Sequence, residues 1–379
     1  ACAGSVPPVP RGHRAVAKGQ SGATLYAALK ASTLRSGAQA VTQAAVRRLV
    51  RERGPDGRPG RVLGVEVWQL PADDPRTRRH AELDGLIAKW RLYQARKAEG
   101  ARREQARIER EIAQPRFIRA KRAVVLTTGG YINNPALAHY KRGWPIGGAG
   151  CDGSGLRLGQ SVGGAAERLG NVSAWRFITP PYSWPKGLVV NARGERFCNE
   201  QVYGATLGQA MVEGQGGKAW LVLDARLRWQ SIRECLFGGL WAFQTLPALA
   251  MMLFSAKKAS SIEALAERIS ADPAALRSTV VKANAAAAGR AEDPQGKSAD
   301  MRHACERAPF YAMDISIGAR TFPLATLTLG GLRVNEADGH VRDEQGQDIP
   351  GLFAAGRSAI GIPSSRYVSG LSLADCVFS

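Results

Sequence analysis

Apolar residues between positions 22 and 36 recur at helical spacing, with Leu25, Ala28 and Leu29 on one face, and predict a helix. Beyond Gly37 the period shortens. Residues 40–49 and 61–70 flank the turn-forming run from Gly54 to Gly60, and the alternation from Val62 to Val67 predicts an antiparallel strand returning across it. Residues 76–113 read as an inserted helix or helical hairpin. Leu83, Ile87, Trp90 and Tyr93 mark one apolar stripe, Ile108 and Ile112 another, and Gly100 is the expected break. Residues 123–131 (AVVLTTGGY) have the pattern of a buried parallel strand whose glycine-rich end meets a ligand.

The run from Gly148 to Gly153 has dinucleotide-loop spacing, but no strand precedes it. It is read instead as the start of a helix through Leu156, Leu158 and Val162. Residues 187–204 predict a strand, an Asn/Gly turn and a polar segment carrying Tyr203. Helical material is expected from there to about Gly289, including residues 262–269 and 273–288. The last section is glycine-rich and strand-like at 328–334 and 349–356, with Asp338-Gly339 as a turn, and Ser369-Gly370 stands just before a final helix.

Residues 235–256 (CLFGGLWAFQTLPALAMMLFSA) carry no charge and are long enough to span a bilayer. Gly238, Gly239, Gln244, Thr245 and Pro247 interrupt them, so a core helix or lid is the preferred reading and docking to a membrane surface the second. Charge adds a further question, because 52 Lys and Arg against 32 Asp and Glu leave a net +20. Residues 76–122 hold 15 basic and 6 acidic side chains. A solvated basic helix accounts for them, and without aromatic interleaving or a recognisable module no nucleic-acid partner is expected. The six cysteines are scattered and the five histidines form no His-x-x-x-His pair, so no metal site is expected and the setting reads as reducing and cytoplasmic. Residues 1–14 lack the apolar stretch of a signal peptide.

Four segments, taken in order, resemble the flavoprotein family of fumarate reductases and 3-oxosteroid dehydrogenases. They are the strand-Thr-Gly-Gly-Tyr at 124–131, NARGERFCNE at 191–200, LGGL at 329–332, and IPGLFAAG at 349–356 with YVSGLSL following. The resemblance implies FAD as cofactor and an α/β fold. A Rossmann-like FAD-binding domain of the glutathione-reductase type would comprise residues 1–164 and 320–379, with the basic helical insertion at 76–113. An inserted α+β substrate-capping domain would comprise 165–319. It carries Val46, Thr128, Gly129, Gly130, Gly356, Arg357, Leu371, Ser372 and Leu373 into the cofactor-binding set, with Arg357 standing where relatives often have an acidic ribose partner. The family's first βαβ unit is absent, and the chain stops at Ser379 inside the helix expected to close over the flavin, so a fragment cut at both ends is expected.

The dicarboxylate reductases of that family hold their substrate with a His and an Arg, whose places are taken here by Leu327 and Tyr367. Without that pair a doubly anionic substrate loses its partners, and fumarate reduction is disfavoured. The resemblance instead implies ketosteroid dehydrogenase chemistry, on the 4,5-bond in preference to the 1,2-bond. A proton leaves the carbon beside a ketone and a hydride leaves the neighbouring carbon. Tyr203 is the implied acid/base, and Tyr367 with Ser369 or Gly370 meets the substrate carbonyl, though the two tyrosines can exchange roles. Trp175 and Trp184 read as pocket wall and Tyr311 as packing. The implied partners are a small apolar ketone and an external electron acceptor, with peripheral membrane contact a further option. Two alternatives stay open, a flavoprotein reductase of another unsaturated substrate and a non-catalytic basic binding module centred on residues 76–122.

Overall fold

The computed structural model describes residues 22–54, 57, 59–91, 94–137, 143–240, 242–368 and 370–378. In chain order the elements begin with α1 (Gly22–Arg35), β1 (Ala44–Arg53), β2 (Pro59–Gln69), α2 (Pro75–Trp90), α3 (Ala95–Ile112), β3 (Gln114–Arg119) and β4 (Val124–Leu126). Then come β5 (Trp144–Pro145), α4 (Ser154–Ser161), β6 (Ala166–Glu167), β7 (Val172–Trp175), β8 (Leu188–Val190), α5 (Gly204–Gly214), β9 (Trp220–Leu223), α6 (Ala225–Phe237) and α7 (Ala242–Ala250). The chain continues through β10 (Lys257–Ala259), α8 (Ile262–Arg268), α9 (Pro273–Ala287), β11 (Phe310–Asp314) and β12 (Ala325–Thr328). It closes with β13 (Gly331–Leu332), β14 (His340–Arg342), β15 (Asp348–Ala354) and α10 (Leu371–Phe378). This is a mixed helix/strand chain whose described residues fall into two units, 143–146 with 172–327, and 22–137 with 147–171 and 328–378.

The unit that contains residues 172–327 is organised by a four-stranded sheet in the order β10-β11-β9-β8. Its pairs are antiparallel. Side chains alternate across a strand, and here both faces are buried. Val189, Leu221, Leu223 and Met313 enter one core with Leu207, Met211, Leu227 and Met251. Leu188, Val190, Val222 and Ala312 enter the other with Leu265, Leu276 and Val280. Burial on both sides explains why β8 and β9 read as unbroken apolar runs, while β10 at the other edge carries the exposed Lys257 and Lys258. The expectation of continuous helix to Gly289 fails here, because β9 and β10 interrupt it as sheet strands.

The uncharged run 235–256 is divided among three pieces. Helix α6 ends at Phe237, α7 contains Pro247, and a π-helical turn covers Met251–Ser255. Proline removes a donor and crowds the preceding turn, so one straight helix cannot form. Among the described residues, no helix is long and apolar enough to cross a membrane.

In the other unit β1, β2 and β3 form an antiparallel sheet, and a second sheet runs β14-β15-β4. The predicted helical hairpin is α2 and α3, but α2 already ends at Trp90, α3 begins at Ala95, and Gly100 lies inside α3. Leu83, Ile87, Ile108 and Ile112 share its core, while Tyr93 lies outside the described residues. Part of the basic charge is engaged in ion pairs, Arg79 with Glu104 at 2.9 Å and Arg47 with Glu109 at 3.0 Å. Strand β4 was expected to be buried, yet Val125 is 56% exposed, because β4 lies at the edge of its sheet among the described strands.

Helix α5 comes close to β7 because two of its residues have no side chain. A Cβ at Gly208 would stand 1.9 Å from Ala174 O, and one at Gly204 2.6 Å from the Phe177 ring. The first clash is with backbone and cannot be relieved by a rotamer change. Gly208→Ala is expected to destabilise the protein by about 3 kcal/mol, read as a lower urea midpoint at unchanged slope.

Candidate functional site

In the unit containing β4 and β15, the two strands run parallel, with Val124, Val125 and Leu126 opposite Leu352, Phe353 and Ala354. The N–H of Ala355 extends the ladder to Leu126 O at 3.1 Å. The strands therefore end side by side, and Thr128–Gly130 meets Gly356–Arg357. Gly129 N–H donates to Ser358 Oγ at 3.1 Å, and Thr128 Oγ1 lies 3.3 Å from the same oxygen. Gly129 has φ +81°, a conformation strained for any side chain. The place a side chain at Gly130 would need is taken by Thr328 Oγ1, which accepts the N–H of Tyr131 at 3.1 Å.

Arg357 lies over this glycine pair. Its Nη2 donates to Cys151 Sγ at 3.1 Å. Its Nη1 is buried without a hydrogen-bond partner among the described residues. Helix α10 docks on the same segment, since a Cβ at Gly356 would be 3.0 Å from Cys376 Sγ. Ile362 N–H also donates to Asp375 Oδ1 at 3.2 Å. Leu371, Ser372 and Leu373 form the first turn of α10, where the N–H of Leu371 donates to Val368 O at 3.1 Å and that of Leu373 to Gly370 O at 3.2 Å. Among the described residues beyond its chain neighbours, no atom lies within 4 Å of where a Gly370 side chain would stand. Tyr367 is half-buried on the preceding loop, and Ser369 lies outside the described residues. Val46 shares no sheet with this cluster; it sits on β1 opposite Val67.

Tyr203 belongs to the other unit, at the N-cap of α5. Its ring meets Phe177 edge-on at 5.4 Å, and Phe177 meets Trp175 in the same way at 5.8 Å. Trp184, expected on a pocket wall, is 2% exposed and packs in the core instead.

The segment leading to Tyr203 is anchored by a buried ionic network. Glu200 Oε2 lies 2.8 Å from Arg196 Nη2 and 2.9 Å from Lys297 Nζ, and Arg196 Nη1 lies 2.7 Å from Asp293 Oδ2. All four side chains are at most 6% exposed. The network also serves β8, an edge strand of its sheet. Val189 N–H donates to Glu200 Oε1 at 2.9 Å, and Lys297 Nζ donates to Gly187 O at 2.6 Å. Burial alone would raise the Asp293 carboxyl, but hydrogen bonds from Arg196 and from the N–H groups of Lys297 and Gln295 hold it below its ordinary value. For Lys297 burial prevails over Glu200 and lowers the ammonium. Burial, reinforced by Glu200, pushes the Cys198 thiol up to about 12, so it is no nucleophile.

Residues 5–367 match the family model described as FAD binding domain. The chain belongs to this FAD-binding family. It is 55% identical over 354 residues to the 3-oxo-5-alpha-steroid 4-dehydrogenase of Comamonas testosteroni, covering 92% of this chain and 66% of that protein. It is 29% identical over 300 residues to a 3-oxosteroid 1-dehydrogenase of Mycobacterium tuberculosis, covering 68% of this chain and 51% of that one. The crystal structure of 3-ketosteroid-delta4-(5alpha)-dehydrogenase from Rhodococcus jostii RHA1, in complex with 4-androstene-3,17-dione, superposes with a TM-score of 0.71 at 25% identity. That match covers 95% of this chain and 62% of the other. The chain thus spans between half and two thirds of the length of these relatives.

The strand-end cluster fits FAD chemically. A buried guanidinium N–H without an acceptor is costly, and an oxygen-rich, anionic cofactor supplies acceptors. Sequence reasoning missed Ser358 and Thr328, which hold the glycine turn through hydroxyl groups. It also missed Asp293 and Lys297. The spacing of Arg196 and Glu200 was a visible signal for half the network, but nothing local marks its other half.

Glu200→Gln leaves the buried Lys297 charge without its counterion and is expected to cost about 3 kcal/mol or more. Adding Lys297→Met should recover part of that loss in a urea-unfolding double-mutant cycle. Because folding lowers the Asp293 pKa, its contribution is complete above the unfolded value of about 4 and is lost as pH falls through the folded value. Asp293→Asn should therefore flatten the fall in stability measured as the pH is taken below about 4.

Proposed function

We propose that this chain is part of an FAD-dependent oxidoreductase that forms a C=C bond beside a ketone, acting on the 4,5-bond of a 3-oxosteroid. The observation that carries the reading is the 55% identity over 92% of the chain to a relative named for that reaction. In this reading the unit with β4 and β15 is the Rossmann-like FAD-binding domain, and the unit with Tyr203 is the substrate cap. Thr128, Gly129, Gly130, Gly356 and Arg357 hold the cofactor, together with the first turn of α10 at Leu371, Ser372 and Leu373. Val46 remains a proposed further contact.

FAD held by these residues would supply two-electron acceptance for the carbon next to the one that loses a proton. The chain supplies the proton chemistry. Tyr367, with Ser369 or Gly370, donates hydrogen bonds to the ketone oxygen and so acidifies the adjacent C–H. Tyr203 takes the proton, with the segment before it anchored at Glu200 and its ring against Phe177. One proton and one hydride leave, a double bond remains, and the electrons pass to an external acceptor. Leu327 supports the choice of an uncharged ketone over a dicarboxylate. It is 7% exposed on β12 and offers no cation to a carboxylate.

The test is spectroscopic and kinetic. The purified protein should retain flavin absorbance after incubation with FAD and gel filtration, and a saturated 3-oxosteroid should bleach it without oxygen. Tyr367→Phe should retain flavin but slow bleaching about 100-fold, whereas Arg357→Leu should lose flavin on the column. Retained flavin that, once chemically reduced, fumarate reoxidises while saturated steroids leave the oxidised form unchanged would replace this reading with the reductase alternative.

A further inference from the structure

We propose that the α6–α7 hairpin and the turn after it dock on an anionic lipid surface. Trp229, Leu236 and Phe237 are 60%, 58% and 82% exposed, and Leu246, Leu253 and Phe254 are 65%, 50% and 86% exposed. These six large apolar side chains fall within residues 229–254, the stretch that no single helix accommodates. On α6 the spacing is regular. Arg226, Trp229, Arg233 and Leu236 follow one another at three- and four-residue intervals, which places them on one face. Helix α7 packs against α6, and Arg228 fixes the hairpin by donating to Met252 O at 3.0 Å. After Phe254 the chain presents Lys257 and Lys258, both exposed.

The charge around these residues identifies the occupant. Residues 225–258 hold five basic side chains and one acidic, Glu234. Glu234 is partly buried and accepts from the Ser183 N–H and hydroxyl, each at 3.0 Å. Among the described residues of this stretch, every exposed charge is therefore positive. A second copy meeting this one through the same patch would bring Arg226, Arg233, Lys257 and Lys258 against themselves, and like charges oppose that. An anionic bilayer meets both requirements. Its headgroups neutralise the arginines and lysines, and its acyl boundary takes the aromatic and leucine side chains. The run is broken into separate helical pieces, none of the described helices long and apolar enough to cross a bilayer, so it lies in the interface. None of this depends on the oxidoreductase chemistry proposed above.

Sedimentation with vesicles tests the surface directly. The chain should bind phosphatidylcholine vesicles containing one fifth phosphatidylserine at least about tenfold more tightly than pure phosphatidylcholine, and lose that advantage in high salt. Phe237→Ser with Phe254→Ser should weaken binding about tenfold or more. Arg226→Glu with Arg233→Glu should abolish the preference for phosphatidylserine. All four positions are exposed, so circular dichroism of both variants should match the parent. No binding, or equal binding by parent and variants, would overturn the proposal. So would a concentration-dependent dimer that the phenylalanine variant dissolves, since a second copy would then be the occupant.

Discussion

Three parallel residue pairs, from Val124 with Leu352 to Leu126 with Ala354, fix the geometry on which the strand-end cluster depends. Parallel neighbours cannot be joined by a tight turn, so these strands meet only after the chain between them has folded. Their meeting is driven by burial. Leu126, Leu352 and Ala354 enter one core with Leu156, Leu332 and Val341. Once the strands are paired, Ser358 reaches Gly129 across 229 positions of sequence and Arg357 covers the glycine pair. A glycine turn capped by Arg357 thus arises as the by-product of two strand ends stopping level.

The other unit solves a different problem. Strands β8 and β9 are apolar on both faces, which leaves the outer edge of β8 as a place where backbone polar groups need partners. Glu200 and Lys297 supply them from side chains, and Arg196 and Asp293 balance the resulting charges. Buried ions gain little net stability over apolar packing, but each is costly once its partner is removed. The arrangement consequently specifies where residues 196–204 lie, and with them the entry to α5. The aromatic contact from Phe177 and the missing side chains at Gly204 and Gly208 set the same helix from its other side.

The high positive charge has at least two distinct uses. On α2 and α3 arginines pair with glutamates over a small apolar core, as a solvated helical hairpin requires. Between residues 225 and 258 the exposed cations stand beside exposed aromatic and leucine side chains instead. The composition is alike in sign and different in company.

Read by itself, the sequence determined the local features. Period marked α1 and the returning strands β1 and β2, and turn residues marked the hairpin after β8. The order of the glycine motifs pointed to the FAD-binding family, which the family match bears out. These signals are local because propensity and alternation act over a few residues. Tertiary structure alone decided that β9 is a buried sheet strand, that Gly100 continues a helix and that Trp184 belongs to a core. It also decided that Asp293 and Lys297 complete the pair begun by Arg196 and Glu200. Each of those outcomes turns on which distant surface removes a group from water, and no short window of sequence contains both partners.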